Sequence, residues 1–137
     1  MTSTTATLWD SSFEVGDPVL DAQHRHIVDL INALNQAADG EGSQTADLLV
    51  DYIGRFMQVH FETEEAVLVR IGFSELPKHA AEHQRLLDEV AATAALVRAG
   101  KETDGRFAGV LWSWLHEHTA TWDQQYAIVL RSQVGRA

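Results

Sequence analysis

Cysteine is absent from this chain of 137 residues, which excludes a disulfide scaffold, cysteine-ligated zinc and iron–sulfur clusters. Basic residues are few, because 10 lysines and arginines stand against 20 acidic residues, for a net charge of −10. Nucleic acids and anionic membranes both attract basic patches, so we expect neither as a partner. The sequence also has no basic, apolar leader and no run of roughly 20 apolar residues, so we expect a cytoplasmic protein that does not enter a membrane.

Proline and strand signals are scarce as well. Both prolines, Pro18 and Pro77, lie near expected helix starts, where proline is tolerated, and Ser74 is expected to cap one of these helices. Glycines punctuate the chain between four segments of helical length, whose apolar residues recur at steps of three and four. These segments cover residues 18–38, 45–71, 74–99 and 105–134.

Four amphipathic segments joined by short glycine-containing turns predict an all-α protein. The expected architecture is an antiparallel, up-down-up-down four-helix bundle at residues 18–134. Residues 1–17 are predicted to form an irregular N-terminal arm that docks on the bundle. No linker or tandem repeat interrupts the pattern, so residues 1–137 are predicted to form one domain.

Histidine is the residue that this acidic chain has in excess, with 7 in total. Five of them fall on the inward faces of the predicted helices: His24, His60, His79, His83 and His118. A single inward histidine is most often a hydrogen-bonded core residue, because a buried polar group needs a partner. Five that converge from four helices need a common partner, and a metal site supplies one.

The two remaining histidines provide an internal comparison. His26 follows His24 by two residues, and His116 precedes His118 by two. Two residues correspond to roughly 200° of rotation around an α-helix. We therefore expect both side chains to lie on the surface.

Two spacings strengthen the case for a metal site. His79 and His83 are one helical turn apart, so both imidazoles can reach one ion, and Glu64 follows His60 by the same interval. Glu62 and Glu65 fall off this face and are expected to be solvated. The sequence has no Glu-x-x-His and no His-Glu-x-x-His, which excludes the ferritin-like and the zinc-protease motifs.

The number of candidate ligands exceeds the need of one ion. Five histidines and one or two carboxylates fit two ions with bridging carboxylates better than a single four-ligand zinc. Imidazole together with carboxylate suits iron, copper or zinc, and the residues alone do not select among them.

Over about residues 9–126 the sequence resembles the hemerythrin family, in particular its single-domain bacterial members. The matching stretches are Asp21-Ala-Gln-His24, His60-Phe-Glu-Thr-Glu64-Glu65, His79-Ala-Ala-Glu-His83 and Trp114-Leu-His-Glu-His118, followed by Asp123 and Tyr126. The resemblance implies a non-haem centre of two iron ions and no organic cofactor. One iron would be held by His79, His83 and His118, and the other by His24 and His60.

The resemblance also implies roles for two carboxylates and a pocket. Glu64 and Asp123 would bridge the two irons together with a solvent-derived oxygen. Asp123 lies five residues after His118, about 140° from its direction on an ideal α-helix. Either the helix is widened locally, as in a π-bulge, or Asp123 reaches in from the flank. The residues implied to line a dry oxygen pocket are Ile27, Phe61, Trp114, Leu115 and Thr119.

Thr119 is a departure from the family pattern, which has an apolar residue at this position. A hydroxyl here could bond to bound dioxygen or admit water, and the hypothesis is that it speeds spontaneous oxidation of the oxygenated protein.

The implied function is reversible binding of dioxygen, for storage, transport or sensing, by a protein that is not an enzyme. The first alternative is a di-iron oxidase, peroxidase or nitric-oxide-handling protein that uses the same site. Such an enzyme would place an acid or base near the open position, and the sequence shows no clear candidate for one besides Thr119. A metal-handling protein is the second alternative, but its ligands should be more exposed. The sequence identifies no protein partner.

Overall fold

The computed structural model describes residues 9–39 and 43–134. Residues 1–8 of the predicted arm, the first glycine cluster (residues 40–42) and residues 135–137 lie outside this part. Within it the protein is all-helical and contains no strand. The helices are α1 (Pro18–Asp39), α2 (Ser43–Arg70), α3 (Leu76–Arg98), α4 (Asp104–His118) and α5 (Gln124–Val134).

The predicted four-helix bundle is confirmed, because α4 and α5 together form the fourth rod. A π-helical turn, Thr119–Asp123, joins them, and the backbone stays helical on both sides of it. Around the bundle, α1 packs on α2 and α4, and α3 packs on the same two helices. Helices α2 and α4 therefore lie diagonally across the bundle from each other. None of the described helices combines the length and apolarity needed to cross a membrane.

The described part of the arm is partly regular rather than wholly irregular. It contains one 3₁₀ turn, Ser11–Phe13, which Asp10 caps by accepting a hydrogen bond from the Ser12 amide at 2.9 Å. The Asp21 carboxylate then accepts the Val15 amide at 2.7 Å and ties the arm to α1. The docked arm buries Phe13 completely.

Glycine and threonine set the helix ends that frame α3 and α4. Gly72 and Gly100 follow α2 and α3 with φ values of 68° and 72°, in the left-handed region that glycine adopts without steric cost. Thr103 caps α4 through its hydroxyl. The prediction that Ser74 caps the third helix is wrong: α3 begins at Leu76, and its N-cap residue Glu75 makes no side-chain capping bond.

Two apolar clusters fill the bundle, and the buried polar residues lie between them along the helices. In α1, for example, His24 lies between Leu20 of the smaller cluster and Ile27 of the larger one. In α2, Glu64 lies between Phe61 of the larger cluster and Val67 of the smaller one. The bundle therefore holds a polar layer between two apolar layers.

Candidate metal centre

The polar layer is made by side chains from every rod of the bundle. Apart from Thr119, its buried members are the five inward histidines and two carboxylates: His24, His60, Glu64, His79, His83, His118 and Asp123. None of the seven is more than 2% exposed. The structure thus brings together every residue that the sequence proposed as a metal ligand.

Glu64 occupies the middle of this layer and faces two groups of histidines. Its Oε1 atom lies 2.7 Å from Nε2 of His79, 2.7 Å from Nε2 of His83 and 3.8 Å from Nε2 of His118. Its Oε2 atom lies 3.7 Å from Nε2 of His60. The two oxygens of one carboxylate therefore face different groups of imidazoles.

Asp123 repeats this arrangement on the other side of the layer. Its Oδ1 atom lies 2.9 Å from Nε2 of His118 and 3.3 Å from Nε2 of His79, whereas its Oδ2 atom lies 3.6 Å from Nε2 of His24. Two clusters of potential ligand atoms result. One consists of Glu64, His79, His83 and His118, and the other of His24, His60 and Glu64.

The π-helical turn explains how Asp123 reaches the layer. A π-helix takes more residues per turn than an α-helix, so a residue five positions after His118 returns to the same side. Asp123 ends this turn and is completely buried, while Trp122, the residue that an α-helix would turn inward, is only half-buried. Local widening, one of the two routes considered from the sequence, is the one observed.

Hydrogen bonds from Nδ1, the ring nitrogen that points away from the centre of the layer, orient three of the imidazole rings. Nδ1 of His24 donates to the carbonyl oxygen of Phe13 at 2.6 Å, and Nδ1 of His60 donates to Oε1 of Gln23 at 2.7 Å. Since Nδ1 carries the hydrogen in these bonds, a neutral ring presents the lone pair of Nε2 to the centre of the layer.

The third of these rings corrects a prediction. Nδ1 of His83 donates to Oε2 of Glu65 at 2.7 Å, so Glu65 is not a freely solvated charge. Glu62 is exposed, as predicted. A carboxylate behind a ligating histidine orients the ring and raises its basicity. Sequence periodicity missed Glu65 because the residue lies at the edge of the inward face and meets a ring from another helix.

Tyr126 is a further member of the layer to which the sequence assigned no role. Its hydroxyl donates to Oε2 of Glu64 at 2.8 Å, and its side chain is completely buried. Burial and the nearby carboxylates raise the pKa of Tyr126 well above its ordinary value, so the phenol keeps its proton and remains a donor.

Burial and neighbouring charges act differently on His60 than on His79 and His118. Burial, reinforced by the neighbouring His24, lowers the pKa of His60 to about 3. This ring is therefore neutral near pH 7, which is the form that binds a metal.

The opposite holds for His79 and His118. Burial opposes the charged form of His79 and His118, but the carboxylates of Asp123 and Glu64 outweigh it and raise the pKa values to about 9 and about 10. Burial likewise favours protonation of the two carboxyls, yet the adjacent histidines hold both pKa values below their ordinary range. The layer thus keeps two buried anions that require cations beside them.

Unpartnered polar atoms test whether the layer fits metal ions. Among the described residues, Nε2 of His24 and His60 and Oδ2 of Asp123 are buried without a hydrogen bond. Such atoms are costly unless something binds them. Ligand atoms that share one ion at about 2.1 Å lie about 3 Å apart when they are adjacent, close to the spacing within the layer. The donor set therefore fits metal ions.

The residues implied to line an oxygen pocket are all buried: Ile27, Phe61, Trp114, Leu115 and Thr119. Phe61 stacks on the ring of His83 with centroids 4.0 Å apart, and Trp114 meets the ring of His60 edge-on at 6.0 Å. The Thr119 hydroxyl donates to the carbonyl oxygen of Leu115 one turn earlier.

The two comparison histidines lie off the layer, as predicted. His26 is half-buried and bonds to the hydroxyl of Tyr52 at 3.2 Å. His116 is exposed. Helical phase therefore separated the seven histidines correctly into five inward and two outward.

A four-helix bundle whose interior holds five imidazoles in two clusters that share one carboxylate, with a second carboxylate beside them, has the features of a metal-binding helical bundle. The family model described as the hemerythrin HHE cation binding domain matches residues 15–128, and the chain belongs to the hemerythrin family. Hemerythrins bind a non-haem centre of two iron ions, and the His/Glu clusters described above fit this cofactor.

Individual relatives agree with the family match. A bacteriohemerythrin of Stenotrophomonas maltophilia is 24% identical over 129 residues, which cover 94% of this chain and 84% of that protein. A hemerythrin-like protein of Naegleria gruberi is 30% identical over 122 residues, covering 89% and 92%. The crystal structure of a wild-type hemerythrin has the same fold, with a TM-score of 0.83 and 24% identity over 92% of this chain and 98% of that one.

Proposed function

We propose that this protein binds dioxygen reversibly at its di-iron centre and does not act as an enzyme. In this proposal His79, His83 and His118 hold one iron, His24 and His60 hold the other, and Glu64 and Asp123 bridge them. The observation that carries the assignment is the division of both carboxylates. Each points one oxygen at the group of three histidines and the other at the group of two.

The unequal division of histidines supports an open position. The protein offers one histidine fewer to the second iron, and this difference leaves room there for a small ligand. When bound, the iron pair supplies the electrons that reversible dioxygen binding requires. The protein contributes the shape of the site and the fixed orientation of its rings.

The surroundings favour a carrier over an oxidase. Apolar groups of Ile27, Phe61 and Leu115, all buried, exclude water from the proposed pocket. The buried hydroxyls of Tyr126 and Thr119 donate to Glu64 and to the Leu115 carbonyl. Since these hydroxyl protons are engaged by protein acceptors, neither is placed to drive cleavage of an oxygen–oxygen bond.

Optical spectroscopy tests the proposal directly. The iron-loaded protein is reduced without air, exposed to oxygen and then returned to an oxygen-free gas, with spectra recorded at each stage. We expect a visible absorption band that appears with oxygen and disappears on its removal over several cycles, together with two irons per chain by metal analysis. Irreversible oxidation in the first cycle would contradict reversible binding and favour the oxidase alternative.

A variant pair tests the ligand assignment in the same experiment. His24→Gln is expected to abolish the reversible band, because it removes one of the two histidines of the open iron. His26→Gln alters a neighbouring histidine whose ring bonds to Tyr52 instead and should keep the band. Equal loss in both variants would contradict the assignment.

A further inference from the structure

Helix α2 carries a straight row of exposed side chains on the side that faces away from the bundle. The row follows alternating steps of four and three residues, the spacing of a helix face that contacts another helix. We call it the α2 stripe, and its members are Leu48, Tyr52, Arg55, Val59, Glu62, Ala66 and Val69.

The α2 stripe is unusually apolar for a surface. Leu48 and Val69 are each 65% exposed, Val59 is 51% exposed and Tyr52 is 42% exposed. Together they are four of the seven large apolar residues that are exposed in the described part of the chain. Single apolar residues on a surface are ordinary, but a contiguous row marks a contact with another molecule.

Two opposite charges interrupt the row at related positions. Arg55 forms no ion pair with any described residue, and it is exposed. Glu62 accepts only a long hydrogen bond, 3.4 Å, from the Gln58 amide among the described contacts. Both charges are therefore available for ion pairs with another molecule. A partner fits if it places an anion beside Arg55 and a cation beside Glu62.

We propose that this partner is a second copy of the chain, docked with its α2 antiparallel across a two-fold axis between residues 58 and 59. Arg55 and Glu62 are each 3.5 positions from that axis, about 5 Å along the helix. The axis therefore places Arg55 of each copy beside Glu62 of the other, which forms two ion pairs. A two-fold contact of this kind is self-complementary.

The apolar residues match under the same axis. Leu48 and Val69 are each 10.5 positions from it, about 16 Å along the helix, so Leu48 of one copy meets Val69 of the other. Val59 lies half a position from the axis and meets its own equivalent. Tyr52 and Ala66, 6.5 and 7.5 positions from the axis, lie opposite each other with an offset of about 1.5 Å along the helix. No apolar member of the stripe is left facing a charge.

Acidic neighbours do not oppose this pairing. Asp51 and Glu65 flank the stripe on one side and would approach each other between copies. Asp51 is already paired with Arg98, and Glu65 accepts the Nδ1 hydrogen of His83. Their charges are therefore partly compensated within each chain.

A contact through one helix from each copy is small. It falls below the roughly 1,600 Å² of a standard protein interface, so we expect a weak dimer that forms with increasing concentration. At about 0.15 M salt, long-range repulsion is screened beyond about 8 Å, which allows two chains of net charge −10 to approach.

Charge exchange tests the pairing by analytical ultracentrifugation of the iron-loaded protein. Arg55→Glu or Glu62→Arg alone places like charges together twice per dimer, and each should weaken dimerisation about tenfold or more. The double variant restores both pairs with reversed signs and should recover dimerisation. Arg106→Glu is the matched control, because it makes the same charge change at an exposed position on α4, diagonally across the bundle. Helical circular dichroism verifies the fold of each variant.

Cysteine cross-linking tests the orientation, and the absence of native cysteine makes it unambiguous. Val59→Cys should form a disulfide dimer under mild oxidation, whereas Val19→Cys, exposed on α1, should not. Leu48→Cys and Val69→Cys should each fail to cross-link alone, because equivalent residues would lie about 32 Å apart. Mixed together, the two variants should cross-link.

Three results would overturn the proposal. The first is a wild-type chain that remains monomeric at about 1 mM, where even a millimolar Kd populates the dimer. The second is an Arg55→Glu variant that dimerises as strongly as the wild type. The third is cross-linking of Leu48→Cys with itself, which indicates parallel copies.

Discussion

The five inward histidines are positioned by two different kinds of contact. His24, His60 and His83 are held by hydrogen bonds from Nδ1. Nδ1 of His79 and His118 has no such partner among the described residues. His118 is instead stacked between Trp114 and Trp122, with centroids 6.1 Å and 6.3 Å away. Aromatic packing thus does for the His118 ring what hydrogen bonds do for His24, His60 and His83.

Substitution of an inward histidine and of a nearby outward one tests which of the two is needed to bind iron. We expect His118→Gln to lower the iron content below two per chain, because His118 contacts both carboxylates of the layer. His116→Gln should retain the full iron content, since His116 is exposed. Metal analysis of the purified variants checks this. Full iron content in His118→Gln would contradict its role as a ligand.

Tyr126 stabilises a buried charge. Tyr126→Phe removes the hydroxyl that donates to Glu64 at 2.8 Å, and hydrogen bonds to charged groups contribute roughly 2 kcal/mol. We expect the free energy of unfolding of the iron-free protein to fall by about that amount, measured by chemical denaturation. Tyr52→Phe is the control, because it removes a hydroxyl whose 3.2 Å bond to His26 lies at the surface and involves no buried charge. Equal losses of unfolding free energy in the two variants would show that the buried hydrogen bond stabilises the fold no more than the exposed one.

Substitution of Thr119 tests whether a polar atom in the pocket speeds decay of the oxygenated protein. The Thr119 hydroxyl hydrogen bonds to the Leu115 carbonyl, but its oxygen still adds a polar atom to a buried site that can attract water. We expect Thr119→Val to slow the decay of the oxygenated protein, followed by optical absorption. Thr119→Ser keeps the hydroxyl and should decay at least as fast as the wild type. An unchanged rate in Thr119→Val would refute the hypothesis.

At the scale of elements, the π-helical turn has the largest consequence for the site. Residues 119–123 bring Asp123 inward, and α5 then continues with Tyr126 and Leu130 on the buried side. One widened turn thus adds a second carboxylate to the polar layer without changing the face that the fourth rod presents to the core. Such turns are frequent at functional sites.

Helix caps give a second test at this scale. The Thr103 hydroxyl accepts the Arg106 amide at 3.1 Å, so Thr103→Ala should cost about 1 kcal/mol of unfolding free energy. Ser74→Ala should change it by less than about 0.5 kcal/mol, because Ser74 is exposed and does not cap α3. Chemical denaturation of both variants measures the difference. A larger loss in Ser74→Ala would contradict the described start of α3.

For the whole molecule, the polar layer joins side chains from all four rods. The two apolar clusters lie on either side of it, so the bundle has a hydrophobic core even without metal. The layer itself contains buried polar atoms that lack hydrogen bonds among the described residues. The iron-free bundle is therefore expected to fold but to be less stable.

Removal of iron measures this contribution. A ligand at 100 times its Kd stabilises the folded state by about 2.7 kcal/mol, which corresponds to a Tm change of roughly 10 °C in a domain of this size. We expect the iron-free protein to unfold at a Tm lower by about that amount, with its helical circular dichroism retained. An unchanged Tm would show that the layer does not bind iron in the folded state.

Much of the structure could be predicted from sequence patterns within single helices. Helical periodicity and glycine turns predicted the bundle, and rotation by two residues separated His24 from His26 and His118 from His116. Both results depend on positions within one helix, which the sequence specifies directly. The N-cap of α3 was misjudged because a cap depends on where the preceding turn ends, and Gly72 places that end differently.

The sequence by itself determined the helices, their inward faces and the histidines that lie on them. Only the tertiary structure decided which atoms meet: the division of the Glu64 and Asp123 oxygens between two groups, and the Tyr126 hydroxyl beside Glu64. These contacts join residues on different helices or across a widened turn. Their geometry depends on the packing of whole rods, which no spacing along one helix encodes.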